Sequence, residues 1–122
     1  MPTLIACLSS GKGTWTEVNR IIQSHSWNKV FLITDAFGKE KYNPSPNTEL
    51  IVLNFFTEIP LLVSEIVKAL QGKISDFEIA LNLSSGTGKE HMALLEAVME
   101  LGLNFRLVTF ANNQVEVLGM KL

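Results

Sequence analysis

The sequence predicts one α/β domain over residues 1–122, Rossmann-like, with a mostly parallel six-stranded sheet flanked by helices and a C-terminal antiparallel β-hairpin. Two observations lead to this prediction. Short, nearly continuous apolar runs alternate with longer segments of helical spacing, and this alternation is typical of parallel strands covered on both faces. Near the end of the chain, two strand-like runs follow each other directly, with turn-forming residues between them.

The first four strands are predicted from apolar runs at residues 4–8, 30–33, 50–53 and 79–83. Segments with helical spacing follow the first, third and fourth of them, at about 15–25, 58–71 and 88–101. Thr57 is the expected N-cap of the middle helix, whose first turn accommodates Pro60. Residues 35–48, which include one glycine and two prolines, are predicted to be a loop with one short helical turn around 39–42.

The last two strands are predicted at 105–110 and 114–118, on either side of Ala111, Asn112 and Asn113. Asparagine is common in tight turns because it tolerates left-handed backbone angles. The pattern therefore predicts an antiparallel hairpin that closes one edge of the sheet.

Composition excludes several classes of protein. The chain has 122 residues, 47% of them apolar and 18% charged, which suits one globular domain with its own core. A net charge of −2 leaves no basic field for a long nucleic-acid duplex, although a few lysines could still bind a ligand with few phosphates. Cys7 is the only cysteine, which excludes disulfide frameworks within one chain, and we expect it to be buried. No apolar stretch approaches the ~20 residues of a membrane helix, so we expect a cytoplasmic protein.

Two strand-to-helix loops carry the same kinds of residue. One follows the strand at 4–8 and the other the strand at 79–83. Amides at a helix start and the helix dipole favour an anion, glycines let it approach, and each loop adds a lysine. Since parallel strands end at one edge of a sheet, both loops should line one ligand surface. The predicted ligand-binding residues are Ser9, Ser10, Gly11, Lys12, Gly13, Thr14, Ser84, Ser85, Gly86, Thr87, Gly88, Lys89 and His91.

Both helix starts have a capping-box pattern, because Glu17 lies three residues after Thr14 and Glu90 three residues after Thr87. Glycine, serine and threonine are also good connectors, so either loop alone could be a connection and nothing more. The presence of both loops, each with a lysine, favours ligand binding.

Neither loop matches a standard nucleotide motif. A Walker loop needs a glycine five residues before its Gly-Lys pair, where this chain has Ala6 and Leu83. The dinucleotide pattern Gly-x-Gly-x-x-Gly needs a third glycine where the chain has Thr16 and His91. A conventional NTPase or nicotinamide enzyme is therefore not expected.

The second loop and its flanks resemble a signature of the CARF (CRISPR-associated Rossmann fold) family. Residues 79–89, Ile-Ala-Leu-Asn-Leu-Ser-Ser-Gly-Thr-Gly-Lys, precede Met92 and a helix ending at Gly102. They are similar to that family's apolar strand, Ser/Thr-Gly-Gly-Thr-Lys-like turn and Ala/Leu-rich helix. Residues 9–14 are similar to its other signature, a polar Ser/Gly-rich loop. Two features depart from the family: the turn reads Gly-Thr-Gly-Lys, and the helix between the second and third strands is weak.

The resemblance implies a homodimer whose loops face one groove, with a cyclic oligoadenylate (tetra- or hexa-adenylate) as ligand. A two-fold symmetric site suits a ring with an even number of repeats. The resemblance also implies either a sensor or a metal-independent ring nuclease, in which a ribose 2′-OH attacks the adjacent phosphorus. The candidate catalytic residues are Lys12 and Lys89, which would stabilise charge, and Ser10, which would orient the sugar. His91 has the chemistry of a general acid–base, or is a solvated residue on a helix face.

No metal-ligating constellation appears in the sequence, so we expect no metal and no other cofactor. Two alternatives stay open: an unrelated small α/β homodimeric interaction module, or an enzyme acting on another phosphorylated metabolite. Trp15 could stack on an adenine or pack beneath the first loop, and Phe37 and Tyr42 could contact a base or a second copy. Asn82, which is polar within an apolar run, is expected to hold the neighbouring loop.

Overall fold

The computed structural model describes residues 2–9 and 15–119 of the chain. It has the predicted α/β fold, with strands and helices alternating up to a terminal hairpin. The strands are β1 Leu4–Cys7, β2 Val30–Thr34, β3 Thr48–Val52, β4 Glu78–Asn82, β5 Asn104–Ala111 and β6 Gln114–Val117. The helices are α1 Trp15–Ser24, α2 Ala36–Lys41, α3 Ile59–Leu70 and α4 Gly88–Glu100.

The six strands form one sheet in the order β3-β2-β1-β4-β5-β6. The first five are parallel, and β6 is antiparallel to β5. From β1 the chain moves outward on one side to β2 and β3, and then crosses to β4 on the other side of β1. The strand order therefore reverses between β1 and β4, and open α/β sheets bind ligands at such a switch point, beyond the carboxyl ends of the strands.

Two cores lie on opposite faces of the sheet, since successive side chains of a strand point to opposite faces. On one face, Ile5 and Cys7 of β1 pack with buried residues of α3 and α4, including Ile66 and Leu94. On the other, Leu4 and Ala6 pack with buried residues of α1, including Val18 and Ile21. All four residues of β1 are buried, as expected for a central strand covered on both faces.

The hairpin turns on two residues, Asn112 and Asn113, which have φ angles of 54° and 60°. Two successive residues with positive φ are characteristic of the type I′ turn, whose twist matches that of the flanking strands. The predicted hairpin is thus confirmed, and its turn consists of the two asparagines.

Two local predictions were wrong. The region between β2 and β3 holds a six-residue helix rather than one turn around 39–42, because the carboxylate of Asp35 caps its start and accepts the N–H of Gly38 at 3.0 Å. The N-cap of α3 is Glu58 rather than Thr57. Thr57 belongs to the preceding turn, where its N–H donates to the carbonyl of Asn54 at 3.0 Å. Pro60 lies in the first turn of α3, as expected.

Candidate ligand-binding cleft at the carboxyl edge of the sheet

The loops that follow β1 and β4 are joined by a direct hydrogen bond. The backbone N–H of Ser9 donates to the hydroxyl oxygen of Ser85 at 3.0 Å, across 76 residues of sequence. Ser85 is fully buried, so its hydroxyl joins the two loops inside the protein and does not face solvent. The prediction that the two loops meet is confirmed at Ser9, whereas Ser10, Gly11, Lys12, Gly13 and Thr14 lie outside the described residues.

Asn82, the last residue of β4, holds the second loop in place. Its side-chain amide donates to the hydroxyl of Ser84 at 2.9 Å and to the carbonyl of Val108 at 2.8 Å. Its side-chain oxygen accepts the N–H of Ser84 at 3.2 Å. The role predicted for Asn82 is therefore confirmed, and its satisfied amide explains how a polar residue is tolerated in a buried strand.

Gly86 forms the tightest point of the second loop. Its φ of +102° is a conformation that residues with a side chain rarely adopt. A Cβ atom there would lie 3.1 Å from Nε2 of His91 and 3.3 Å from Cβ of Cys7. The loop thus passes directly over the end of β1 and against the first turns of α4.

His91 contacts this loop from within α4. Its Nε2 lies 2.8 Å from the carbonyl oxygen of Ser85, and because a carbonyl only accepts, Nε2 is the donor. The side chain is partly buried, so the interpretation of His91 as a solvated residue on the helix face was wrong. Its contact with the loop makes His91 a positioning residue for Ser85.

The start of α4 has the predicted capping box. Glu90 accepts the backbone N–H of Thr87 at 3.1 Å, and the hydroxyl of Thr87 donates to the other carboxylate oxygen. Glu90 is buried and Thr87 is exposed, so the pair fixes the helix start against the protein while leaving its outer side accessible. The positive end of the α4 dipole is thereby held rigidly beside the two loops.

A cleft of about 920 Å³ opens along this edge of the sheet. It lies within the size range of small-molecule sites, which is roughly 300–1,000 Å³. The loops after four neighbouring strands contribute to it: Ser9 after β1, Asp35, Ala36 and Phe37 after β2, Val52, Leu53, Asn54, Phe55 and Phe56 around the end of β3, and Thr87, Lys89 and Glu90 after β4.

Among the described residues that line the cleft, Lys89 is the single cation and Asp35 and Glu90 are the carboxylates. Both carboxylates accept hydrogen bonds from backbone N–H groups, Asp35 at the start of α2 and Glu90 at the start of α4. Such bonds offset part of their negative charge. Of the two lysines that the sequence places at the site, Lys89 is in the cleft and Lys12 lies outside the described residues.

Aromatic side chains form the wall opposite Lys89. Phe56 is 96% exposed and Phe37 is 37% exposed. The N–H of Phe56 donates to the side-chain oxygen of Asn54 at 3.0 Å, which fixes the backbone that carries this ring. The sequence pattern left Phe37 open between contact with a base and contact with a second copy, and it did not identify Asn54. The sequence signal that could have identified Asn54 is its position two residues before Phe56, because asparagine often bonds the backbone two residues on.

Trp15 contacts Ser9, the one described residue of the first loop. Its indole N–H donates to the carbonyl of Ser9 at 2.6 Å, and its ring is buried against Phe37 and Tyr42, with centroids 6.0 and 5.8 Å away. Of the two roles that the sequence allowed for Trp15, stacking on an adenine or packing within the protein, the structure shows packing. The side chain of Tyr42 is also held in place, since its hydroxyl donates to the side-chain oxygen of Asn19 at 2.6 Å.

Cys7 lies under Gly86 and is buried. Burial raises the pKa of its thiol to about 12, and the negative charge of Glu90 adds to the effect. A thiol held neutral in this way is a packing residue rather than a nucleophile, as the sequence predicted.

Within the part of the chain that the structure describes, no three His, Cys, Asp or Glu residues are grouped so that they could hold a metal ion. None of the described helices has the length and apolar character that crossing a bilayer requires. No protein-family model matches the sequence, and no curated protein is significantly similar to it. The resemblance to the CARF family therefore rests on the two loop motifs.

Proposed function

We propose that the protein binds a cyclic oligoadenylate in the cleft at the carboxyl edge of its sheet, as a homodimer. One observation carries the proposal: the Ser9–Ser85 hydrogen bond draws the two motif-bearing loops together at the switch point, beside Lys89. Those loops are the residues on which the family resemblance depends. The cytoplasm, where such a messenger would be made, is the compartment that we propose.

Each end of the cleft suits one part of a nucleotide. Lys89 and the start of α4 offer a positive charge and a helix dipole to a phosphate. Phe56 and Phe37 offer rings on which a base could stack, and such stacking contributes roughly 1–3 kcal/mol per base. The ligand would therefore lie across the cleft with its phosphate toward β4 and its base toward β3.

Ring cleavage is the second part of the proposal. In that reaction the 2′-oxygen of a ribose bonds to the adjacent phosphorus, and the bond from phosphorus to the 5′-oxygen breaks. The 2′-OH proton is lost and a proton is gained by the departing 5′-oxygen, which leaves a cyclic phosphate. Lys89 would stabilise the charge on the phosphorane. The same cleft would serve a sensor that holds the ring without cutting it.

Binding is tested by thermal denaturation with cyclic tetra-adenylate, cyclic hexa-adenylate and, for comparison, ATP and inorganic phosphate. We expect a cyclic oligoadenylate to raise the melting temperature at a large excess of ligand. Lys89→Ala should weaken binding about tenfold or more, because a charge-assisted contact to phosphate is lost. Lys68→Ala is the matched control, since Lys68 lies outside the cleft on α3 and should bind like the native protein.

No change in melting temperature with any cyclic oligoadenylate would refute the proposal. A shift with ATP or phosphate alone would instead favour an enzyme or module for another phosphorylated metabolite. If binding is found, denaturing gels of the incubated ring distinguish a nuclease from a sensor. Retained binding with lost cleavage in Lys89→Ala would assign the lysine to the chemical step, and sedimentation of the complex would report the stoichiometry of two chains per ring.

A further inference from the structure

A second concave surface lies on the outer side of α3 and α4, apart from the cleft. It is a groove of about 380 Å³ between the two helices. Its lining includes Ile59, Pro60 and Val63 of α3 and Met92, Glu96 and Glu100 of α4. None of these six residues lines the cleft.

The two helices that form this groove expose large apolar side chains. Leu61 is 54% exposed, Met92 60% and Met99 59%. Single exposed apolar residues are normal on a protein surface, but here three of them lie on two helices that pack against each other. Helix α1 provides a contrast within the same molecule, because its exposed residues are polar: Thr16, Arg20, Gln23 and Ser24.

Two carboxylates of α4 lie along the same groove. Glu96 and Glu100 are one helical turn apart, and the hydrogen bond between their side chains raises the pKa of Glu100. The ion pairs formed among the described residues involve neither of them. Like charges at this spacing destabilise a helix, and negative charge near a helix C-terminus opposes its dipole. The position of the pair is unfavourable for α4 alone.

From these features we infer that the α3–α4 groove binds a basic amphipathic helical segment of a partner protein. Apolar side chains of the segment would pack on Met92 and Val63, and its Lys or Arg residues would pair with Glu96 and Glu100. Methionine suits such a surface because its flexible side chain adapts to the shape of a partner. A second copy of the chain fits less well, since a two-fold contact here would bring two acidic pairs together.

The probe is a synthetic 15-residue helical peptide with leucines at i, i+3, i+4 and i+7 and lysines flanking them. A matched peptide has glutamate in place of each lysine. Titration of the ¹⁵N-labelled full chain should shift the backbone amide signals of residues 59–64 and 92–100 with the lysine peptide, and much less with the glutamate peptide. The E96Q/E100Q variant should bind the lysine peptide about tenfold more weakly, because two charge pairs are lost.

Two controls keep the result specific. Glu40→Gln removes an exposed carboxylate from α2, outside the groove, and should leave the affinity unchanged. Met92→Ala should weaken both peptides without altering the circular dichroism of the protein. Equal affinity for the two peptides, unchanged affinity in E96Q/E100Q, or signal shifts centred elsewhere would overturn the inference. So would self-association in sedimentation that Met92→Ala abolishes, because the groove would then be a contact between copies.

Discussion

Individual polar residues at the carboxyl edge of the sheet are each matched to a partner. Ser85 accepts from Ser9, Asn82 bonds Ser84 and Val108, and the buried hydroxyl of Thr34 donates to the carbonyl of Leu8 at 2.7 Å. In the described part of the chain, every buried polar side-chain atom has a hydrogen-bond partner. Satisfied networks of this kind hold a single geometry, because breaking one bond leaves a buried polar group without a partner.

At the residue scale, Gly86→Ala is expected to lower the free energy of unfolding by about 1–3 kcal/mol. The new methyl group would be strained at a positive φ and would press on His91 and Cys7. Urea denaturation measures the change. Gly88→Ala is the matched control, because a Cβ at Gly88 would meet no atom of the described residues within 4 Å outside its chain neighbours and its own helix backbone, and alanine is a better helix former than glycine. A Gly86→Ala protein as stable as the control would contradict the strained geometry.

The Cys7 thiol predicts a loss of stability in alkali. Its pKa is about 12 in the folded protein against 9.0 for an ordinary thiol, so above pH 9 the unfolded chain loses this proton while the folded protein keeps it. The free energy of unfolding should therefore fall by about 1.4 kcal/mol more between pH 8 and pH 10 than it does in Cys7→Ala. Urea denaturation under reducing conditions at both pH values measures the difference. If the free energy of unfolding falls equally in the two proteins between pH 8 and pH 10, the fold does not hold the thiol neutral.

Among the elements, α2 is the one that the sequence pattern described least well. Its start depends on a single side-chain cap at Asp35, and its contact with the sheet depends on Gly38. A Cβ at Gly38 would lie 1.8 Å from the hydroxyl oxygen of Thr34 and 3.1 Å from its Cβ. Helix and strand therefore approach as closely as glycine permits, a tertiary contact that local sequence does not reveal.

At the element scale, Gly38→Ala is expected to destabilise the protein by roughly 1–3 kcal/mol through overpacking. It should also displace the Thr34 hydroxyl from Leu8, next to the first loop. The Gly38→Ala/Thr34→Ala double variant should recover part of the stability, because the atom at 1.8 Å is removed. Thermal or urea denaturation of the native protein, both single variants and the double variant gives the free energies of unfolding for a double-mutant cycle. If the two single variants lower the free energy of unfolding additively in the double variant, Gly38 and Thr34 are not in tight contact.

For the whole molecule, the sequence predicted the fold class and the first four of the parallel strands, because continuous apolar runs and helical spacing are local signals. It also predicted that the loops after β1 and β4 would meet. It did not predict the aromatic wall, since the placement of Phe56 and Lys89 in one cleft depends on the order of strands across the sheet. The burial of Ser85 and the inward turn of His91 likewise follow from packing between distant segments rather than from any local pattern.

The pairing of β1 with β4 has a consequence for how the chain folds. Leu4 is in register with Val30 of β2 and with Ala80 of β4, so every residue of α1, β2, α2, β3 and α3 is made before the second partner of β1 exists. During synthesis at about 5–20 residues per second, β1 would remain an apolar edge strand for several seconds. Unpaired edges of this kind attract other chains. The strand at the centre of the finished sheet is thus an edge strand in the nascent protein, open to aggregation until β4 is made, and the cleft can form only after β4 pairs with it.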